Sequence, residues 1–206
     1  MAEQEFRDQL AAVGYLDWRA ELTLGPAADF IAREARVADL LVTETRPRES
    51  YLSPTGHAEA GDLLMRLGRP LLCVPEGVEQ LKFGRALVCW KDSREARRAI
   101  ADALPLLEKM QRVDVVEIVG PAEGEGARES LGEVADWLLS HRIEANCATE
   151  PARGADAAQL AGIARDLDAD LIVAGAFGHS RLREWAFGGV TRNLVLSADR
   201  CVLASH

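Results

Sequence analysis

Glycines mark the stretch of this sequence in which chemistry is easiest to place. Gly175 ends an apolar run, residues 170–174, and further glycines follow at Gly178 and at positions 188–189. Glycine allows backbone conformations and close approaches that a side chain would block, and the free amides of a helix N-terminus can receive an anion. The pattern predicts a strand, a glycine loop and a helix, as in phosphate-binding loops. Loops that only turn the chain look similar, so both interpretations stay open at this point.

The whole stretch is more specific than its glycines. The order Gly175-x2-Gly178-x9-Gly188, with Ala-Asp-Leu-Ile-Val-Ala before it and His-Ser-Arg after Gly178, resembles the nucleotide loop of the universal stress protein family. In the ATP-binding members of that family, a Ser or Thr follows the last glycine and contacts phosphate. Here that position is Gly189. The resemblance therefore implies an adenine-nucleotide site, for ATP or AMP, and the missing hydroxyl group argues against tight binding.

A second candidate stretch, residues 90–93, ends the apolar run that begins at residue 85. The family places an acid and then a glycine before the residue that matches Ser93, and here those positions are Lys91 and Asp92. A shift of one residue would give Asp92 the contact with ribose or adenine. Otherwise Asp92 is a cap or first-turn acid of the helix that opens at Ser93. Lys91 could reach a phosphate or lie in solvent.

Polar residues inside the loop complete the candidate site. His179 could bond to a phosphate or only within the loop, Arg181 supplies positive charge that suits an anion, and Thr191 could cap the following helix or contact phosphate. The predicted nucleotide-binding residues are Lys91, Asp92, Ser93, Gly175, Gly178, His179, Ser180, Arg181, Gly188, Gly189, Val190 and Thr191.

Motifs of efficient catalysis are missing from the sequence. It has no GxSxG nucleophile elbow, no GxxxxGK[ST] loop and no GxGxxG spacing. His179 has no second ligand at metal-binding spacing, so no metal is predicted. We expect at most slow hydrolysis of a bound ATP.

Composition excludes several classes of partner. The net charge of −9 disfavours nucleic acid and anionic membrane surfaces, because both would repel the protein. No apolar run approaches the roughly 20 residues that cross a bilayer, and the N-terminus is acidic where a signal peptide is basic. The four cysteines stand singly, which predicts buried, reduced thiols. These features predict a cytoplasmic protein.

Two parts of the chain resemble each other at an offset of 131 residues, as in Ala-Asp-Leu-Leu-Val at 38–42 and Ala-Asp-Leu-Ile-Val at 169–173. The later copy, residues 83–206, is complete. It alternates strands over 85–90, 113–119, 143–149, 170–174 and 201–204 with helices over 93–107, 130–141 and 155–167 and from 190. This order predicts an α/β fold, an open parallel five-stranded sheet with helices on both faces. The resemblance implies the adenine-nucleotide hydrolase-like fold of universal stress proteins.

The earlier copy, residues 1–80, is incomplete and degenerate. It retains a helix over 6–13, a strand over 16–24, a helix over 26–37 and strands over 40–43 and 71–74, and it lacks the first two strands and first helix. At the positions that match the four loop glycines of the later copy it has Glu44, Pro47, His57 and Ala58, so it should not bind a nucleotide. The missing strands predict exposed sheet edges and hence a homo-oligomer, in the simplest case a dimer.

Two hypotheses follow for function. The first is a universal stress protein that acts as a non-catalytic stress-response or signalling module, with an adenine-nucleotide site in the later copy. The alternative is a homodimeric module of the same fold that binds a protein partner and no nucleotide.

Overall fold

A computed structural model describes residues 26–45, 60–176 and 199–206, together with Gln4, Arg7 and Asp8. Its central strands are short, mostly buried apolar runs, so that successive side chains pack on opposite faces of one sheet. The strands are β1 (Leu41–Thr45), β2 (Leu71–Pro75), β3 (Arg85–Trp90), β4 (Arg112–Val119), β5 (Ala145–Pro151), β6 (Leu171–Gly175) and β7 (Cys201–Ser205).

The helices between the strands are amphipathic. The described helices are α1 (Ala27–Glu34), extended by a 3-10 turn (Ala35–Val37), α2 (Ala60–Leu67), α3 (Arg94–Leu107), α4 (Gly124–Ser140) and α5 (Asp156–Asp166). In α3, buried side chains recur every three or four residues, as at Ala96, Ala99, Ile100 and Ala103. This spacing places them on one face, which packs on the sheet.

The sheet has the order β1-β2-β7-β6-β3-β4-β5. Every pair of neighbouring strands is parallel except β2 and β7, which are antiparallel and place Leu72 beside Leu203. The predicted five-stranded parallel sheet is therefore confirmed as β7-β6-β3-β4-β5. The two described strands of residues 1–80, β1 and β2, join the same sheet through the antiparallel contact, a pairing that was not predicted from the sequence.

Helices cover both faces of the sheet. On one face, α1, α2 and α5 pack over residues such as Leu71, Ile172 and Val202, so this core combines the two halves of the chain. On the other face, α3 and α4 pack over residues such as Val88 and Val173. Each strand of the centre contributes alternate side chains to the two cores, which is the arrangement expected of a sheet buried on both sides.

Most predicted elements agree with the structure to within two residues. Helix α4 is the exception, because it begins at Gly124 and not near residue 130. The glycines at 124 and 126 precede the predicted start of this helix, but they lie in its first turn, where buried Ala127 anchors the helix. The strand predicted over 16–24, most of the helix over 6–13 and the helix from 190 lie outside the described residues.

All four cysteines are free thiols, as predicted, but only Cys73 and Cys201 are fully buried. Burial raises the pKa of the Cys73 and Cys89 thiols to about 12. They are therefore protonated and unreactive at neutral pH.

None of the helices in the described part of the chain combines the length and the apolar character needed to cross a bilayer.

Candidate functional site

The two candidate stretches meet at the carboxyl edge of the sheet. Strands β3 and β6 are parallel neighbours, so residues 91–93 and Gly175 follow the same edge. A Cβ atom added to Gly175 would lie 2.6 Å from both the amide nitrogen of Ala96 and the carbonyl carbon of Glu95. Gly175 is thus required for a close contact between the end of β6 and the first turn of α3.

The chain immediately after Gly175 is tied to the end of β7. The amide of Ala176 donates a 2.7 Å hydrogen bond to the carbonyl oxygen of Ser205, and Nδ1 of His206 lies 3.0 Å from the carbonyl oxygen of Ala176. The beginning of the glycine loop is therefore fixed against two neighbouring elements. The other predicted loop residues, Gly178, His179, Ser180, Arg181, Gly188, Gly189, Val190 and Thr191, lie outside the described residues.

Ser93 is the N-cap of α3. Its Oγ accepts a 3.2 Å hydrogen bond from the amide of Ala96, and its own amide donates to the carbonyl oxygen of Lys91 at 2.6 Å. This hydroxyl group satisfies one of the free amides at the start of the helix. The side chain of Ser93 therefore stabilises the turn that carries Lys91 and Asp92.

Asp92 and Lys91 both point to solvent but have different neighbours. One carboxylate oxygen of Asp92 accepts hydrogen bonds from Nε and Nη2 of Arg97, at 3.0 and 2.8 Å. This contact agrees with the interpretation of Asp92 as an acid at the start of α3. Lys91 is exposed, and its side chain forms no hydrogen bond or ion pair with the described residues. Its ammonium group is available to bind an anion at the carboxyl edge of the sheet.

Glu117 is a buried acid that the sequence analysis missed. It lies on β4 in register with Trp90, only 7% of its surface is exposed, and its Oε2 atom is buried without a hydrogen-bond partner among the residues that the structure describes. Burial raises the pKa of this carboxyl, the charges of Asp92 and Glu123 raise it further, and Lys91 opposes them. The only signal in the sequence was a glutamate within the apolar run of β4.

Glu117→Gln should stabilise the protein at alkaline pH. Because the folded-state pKa of Glu117 is raised, the folded chain holds this proton more strongly, and the resulting stability is lost as pH rises through that pKa. Replacing the buried charge by a neutral amide should add about 1 kcal/mol to the free energy of unfolding at pH 8. The gain should shrink towards pH 5. Urea unfolding at both pH values measures it.

Glu129→Gln is the matched control for that measurement, because Glu129 is exposed on α4. Its effect should be close to zero at both pH values. An equal gain at pH 5 and pH 8 for Glu117→Gln would contradict a titrating group at this position.

Glu95 is a second buried acid at this edge, with 2% of its surface exposed. Its Oε1 atom lies 3.1 Å from Nη2 of Arg94. The position in the first turn of α3 suits a negative charge, because the helix dipole is positive there. The backbone of Glu95 contacts Gly175, so a carboxylate is built into the element that supports the start of the glycine loop.

Within residues 26–45, 60–176 and 199–206, no three His, Cys, Asp or Glu side chains form a group that could hold a metal ion.

The five parallel strands, with helices on both faces and candidate residues at their carboxyl ends, define a doubly wound α/β domain. In domains of this class, ligands bind at that edge. The chain belongs to the universal stress protein family, because the model of that family matches residues 82–206, more than half of the sequence.

Solved structures show the same fold at low sequence identity. A universal stress protein from Archaeoglobus fulgidus DSM 4304 aligns with a TM-score of 0.73 and 17% identity, covering 98% of this chain and 75% of that chain. A putative universal stress protein from Pseudomonas aeruginosa UCBPP-PA14 aligns with a TM-score of 0.63 and 15% identity, covering 99% and 77%. Universal stress protein UspA from Lactobacillus plantarum aligns with a TM-score of 0.52 and 20% identity, covering 62% and 100%. No curated protein matches the chain significantly.

Proposed function

We propose that residues 83–206 form a stress-response or signalling domain that holds an adenine nucleotide, ATP or AMP, at the carboxyl ends of β3 and β6. The observation that carries the proposal is the close contact of Gly175 with the first turn of α3, because it brings the start of the glycine loop beside residues 91–93. These are the two stretches that resemble the family's nucleotide site. The domain is proposed to be non-catalytic, since no motif for an efficient reaction accompanies the site.

The predicted residues at this site would have different roles in binding the nucleotide. Ser93 fixes the turn before α3, and Lys91, exposed at the strand end, is available to a phosphate. Asp92 is held by Arg97 and would reach a ribose hydroxyl only from that position. Gly178, His179, Ser180, Arg181, Gly188, Gly189, Val190 and Thr191 are proposed to surround the phosphates.

Residues 1–80 are proposed to be a degenerate copy of the same domain that serves as a scaffold. Strands β1 and β2 pair in parallel, as β6 and β7 do, and the likeness to the A. fulgidus protein extends over nearly the whole chain. Four free thiols suit a reducing compartment, which supports a cytoplasmic location.

The test is to denature freshly purified full-length protein, analyse the released small molecules by mass spectrometry, and titrate ATP and AMP by calorimetry. Adenine nucleotide near one per chain, or a measurable titration, supports the proposal. Gly189→Ser restores the hydroxyl group that ATP-binding relatives have, so we expect about tenfold tighter ATP binding from one added hydrogen bond to phosphate. Gly132→Ser on α4, where an added Cβ meets no atom within 4 Å, is the matched control.

The second candidate function is a homodimeric protein-interaction module without a nucleotide. The buried acid Glu95 favours it, because it lies in the first turn of α3, whose backbone contacts Gly175, and a negative charge in that turn opposes a phosphate. An empty extract, flat titrations and a dimer by light scattering across micromolar concentrations would replace the first proposal by this one. A ligand held only by the folded state must raise the melting temperature, so a thermal shift with ATP separates the two quickly.

A further inference from the structure

A cavity of about 390 Å³ lies between α3 and α4, on the face of the sheet opposite α5. Its size is within the range of sites for small organic molecules. It is separate from the contact of Gly175 with α3, since neither Gly175 nor Ser93 lines it. The lining residues are Trp90, Asp92, Arg97, Ile100, Ser130, Glu133, Val134 and Trp137.

Two tryptophans give the cavity aromatic walls in fixed positions. The indole Nε1 of Trp90 donates a 2.9 Å hydrogen bond to Oγ of Ser130, which ties β3 to α4 and satisfies the polar atom of this nearly buried ring. Trp137 remains 36% exposed, and its ring packs edge-on against His141 with centroids 4.7 Å apart. A large apolar side chain that stays accessible beside a cavity suits contact with a ligand.

The charge at the mouth of the cavity is negative. The guanidinium group of Arg97 bonds twice to Asp92, so these two charges offset each other. Glu133 forms no ion pair with the residues that the structure describes, and it leaves one negative charge at the rim. The net charge of the whole chain, −9, acts in the same direction.

We propose that this cavity binds a small aromatic ammonium ion that carries N-methyl groups. The ring and the methyl groups of the ligand would contact Trp90 and Trp137, and the positive charge of the ligand would lie beside Glu133. Indole rings attract cations through their negative faces, and a carboxylate at the rim adds a second attraction. A neutral aromatic molecule would gain only the apolar contacts, and an anion would be repelled by Glu133. The cavity shares Asp92 with the proposed nucleotide site, but the cation would depend on Trp90, Glu133 and Trp137, which are not among the predicted nucleotide-binding residues.

The experiment uses the full-length ¹⁵N-labelled protein and benzyltrimethylammonium as the probe, with the indole N–H signals of Trp90 and Trp137 followed by NMR. For so small a ligand, a dissociation constant of about 1 mM is expected. Benzyl alcohol, which is neutral, and phenylacetate, which is anionic, supply the same ring without the positive charge. The cation should bind about tenfold more tightly than phenylacetate and should shift both indole signals.

Variants separate the two attractions. Glu133→Gln should weaken binding of the cation about fivefold and leave benzyl alcohol unchanged, and Trp137→Leu should weaken binding of the cation about fivefold. Glu144→Gln changes an exposed acid that does not line the cavity and should have no effect. Unchanged indole signals, equal binding of phenylacetate, or a Glu133→Gln variant that binds the cation as tightly as the unmodified protein would overturn the proposal.

Discussion

Gly175→Ala is expected to lower the free energy of unfolding by about 3 kcal/mol, the upper end of the usual cost of overpacking a core. The new methyl group would lie 2.6 Å from backbone atoms of Glu95 and Ala96. Backbone atoms cannot rotate out of the way, so the first turn of α3 must move away from β6. Urea unfolding followed by circular dichroism measures the loss as a shift of the midpoint with an unchanged slope.

Gly162→Ala is the matched control, since Gly162 lies within α5 and an added Cβ meets no atom within 4 Å. There the substitution should stabilise the protein by about 0.5–1 kcal/mol, because alanine favours a helix more than glycine does. A neutral Gly175→Ala variant would show that the contact between β6 and α3 is looser than the structure has it. It would also remove the observation on which the proposed nucleotide site depends.

The elements of this fold were largely predictable because apolar periodicity is a local property. The strands around Val88 and Val173 stand out as uninterrupted apolar runs, and Ser93 signals the start of α3 three residues before the amide that it caps. The start of α4 was not predictable in this way. Glycines are typical of loops, and the burial of Ala127, which favours a helix that includes them, depends on the rest of the domain.

The junction between the two halves depends on contacts that no local pattern contains. The apolar sequence of β2 does not determine which strand it pairs with or in which direction. Its antiparallel pairing with β7, with Cys73 beside Val202, depends on which surfaces meet after each half has formed. Apolar patterns in the sequence therefore predict both strands, whereas the pairing that joins β2 to β7 does not follow from them.

The candidate site shows the same limit. That Lys91 and Gly175 share an edge follows from their positions after two strands of a parallel sheet, and the structure confirms that β3 and β6 are neighbours. The need for a glycine at position 175 could not be predicted in this way. It arises from the backbone of α3, which lies about 80 residues earlier in the chain and contacts this position. The burial of Glu95 and Glu117 was missed for a related reason, because the exposure of an acidic side chain depends on the elements that pack over it in the folded protein.

Leu71→Ala should destabilise the whole protein by about 3 kcal/mol, within the range measured for deletion of a large buried side chain. Leu71 is fully buried in β2, between Leu41 and Ala204, and it belongs to the core that also contains Ile172. Because this core combines both halves of the chain, a cavity in the earlier half should weaken the later half as well. Amide hydrogen exchange at Val88 and Val173, in the centre of the sheet, should lose protection by the same free energy as global unfolding.

Val42→Thr serves as the control, because Val42 is 58% exposed on the adjacent strand β1, where a surface substitution should cost no more than about 0.5 kcal/mol. If Leu71→Ala leaves the exchange of Val88 and Val173 unchanged while β1 and β2 lose protection, the two halves unfold separately. Residues 1–80 would then be an attached unit and not part of one cooperative core. Equal losses throughout would instead show that residues 1–80 and 83–206 unfold as one cooperative unit, since β7 supplies the neighbour with which β2 pairs.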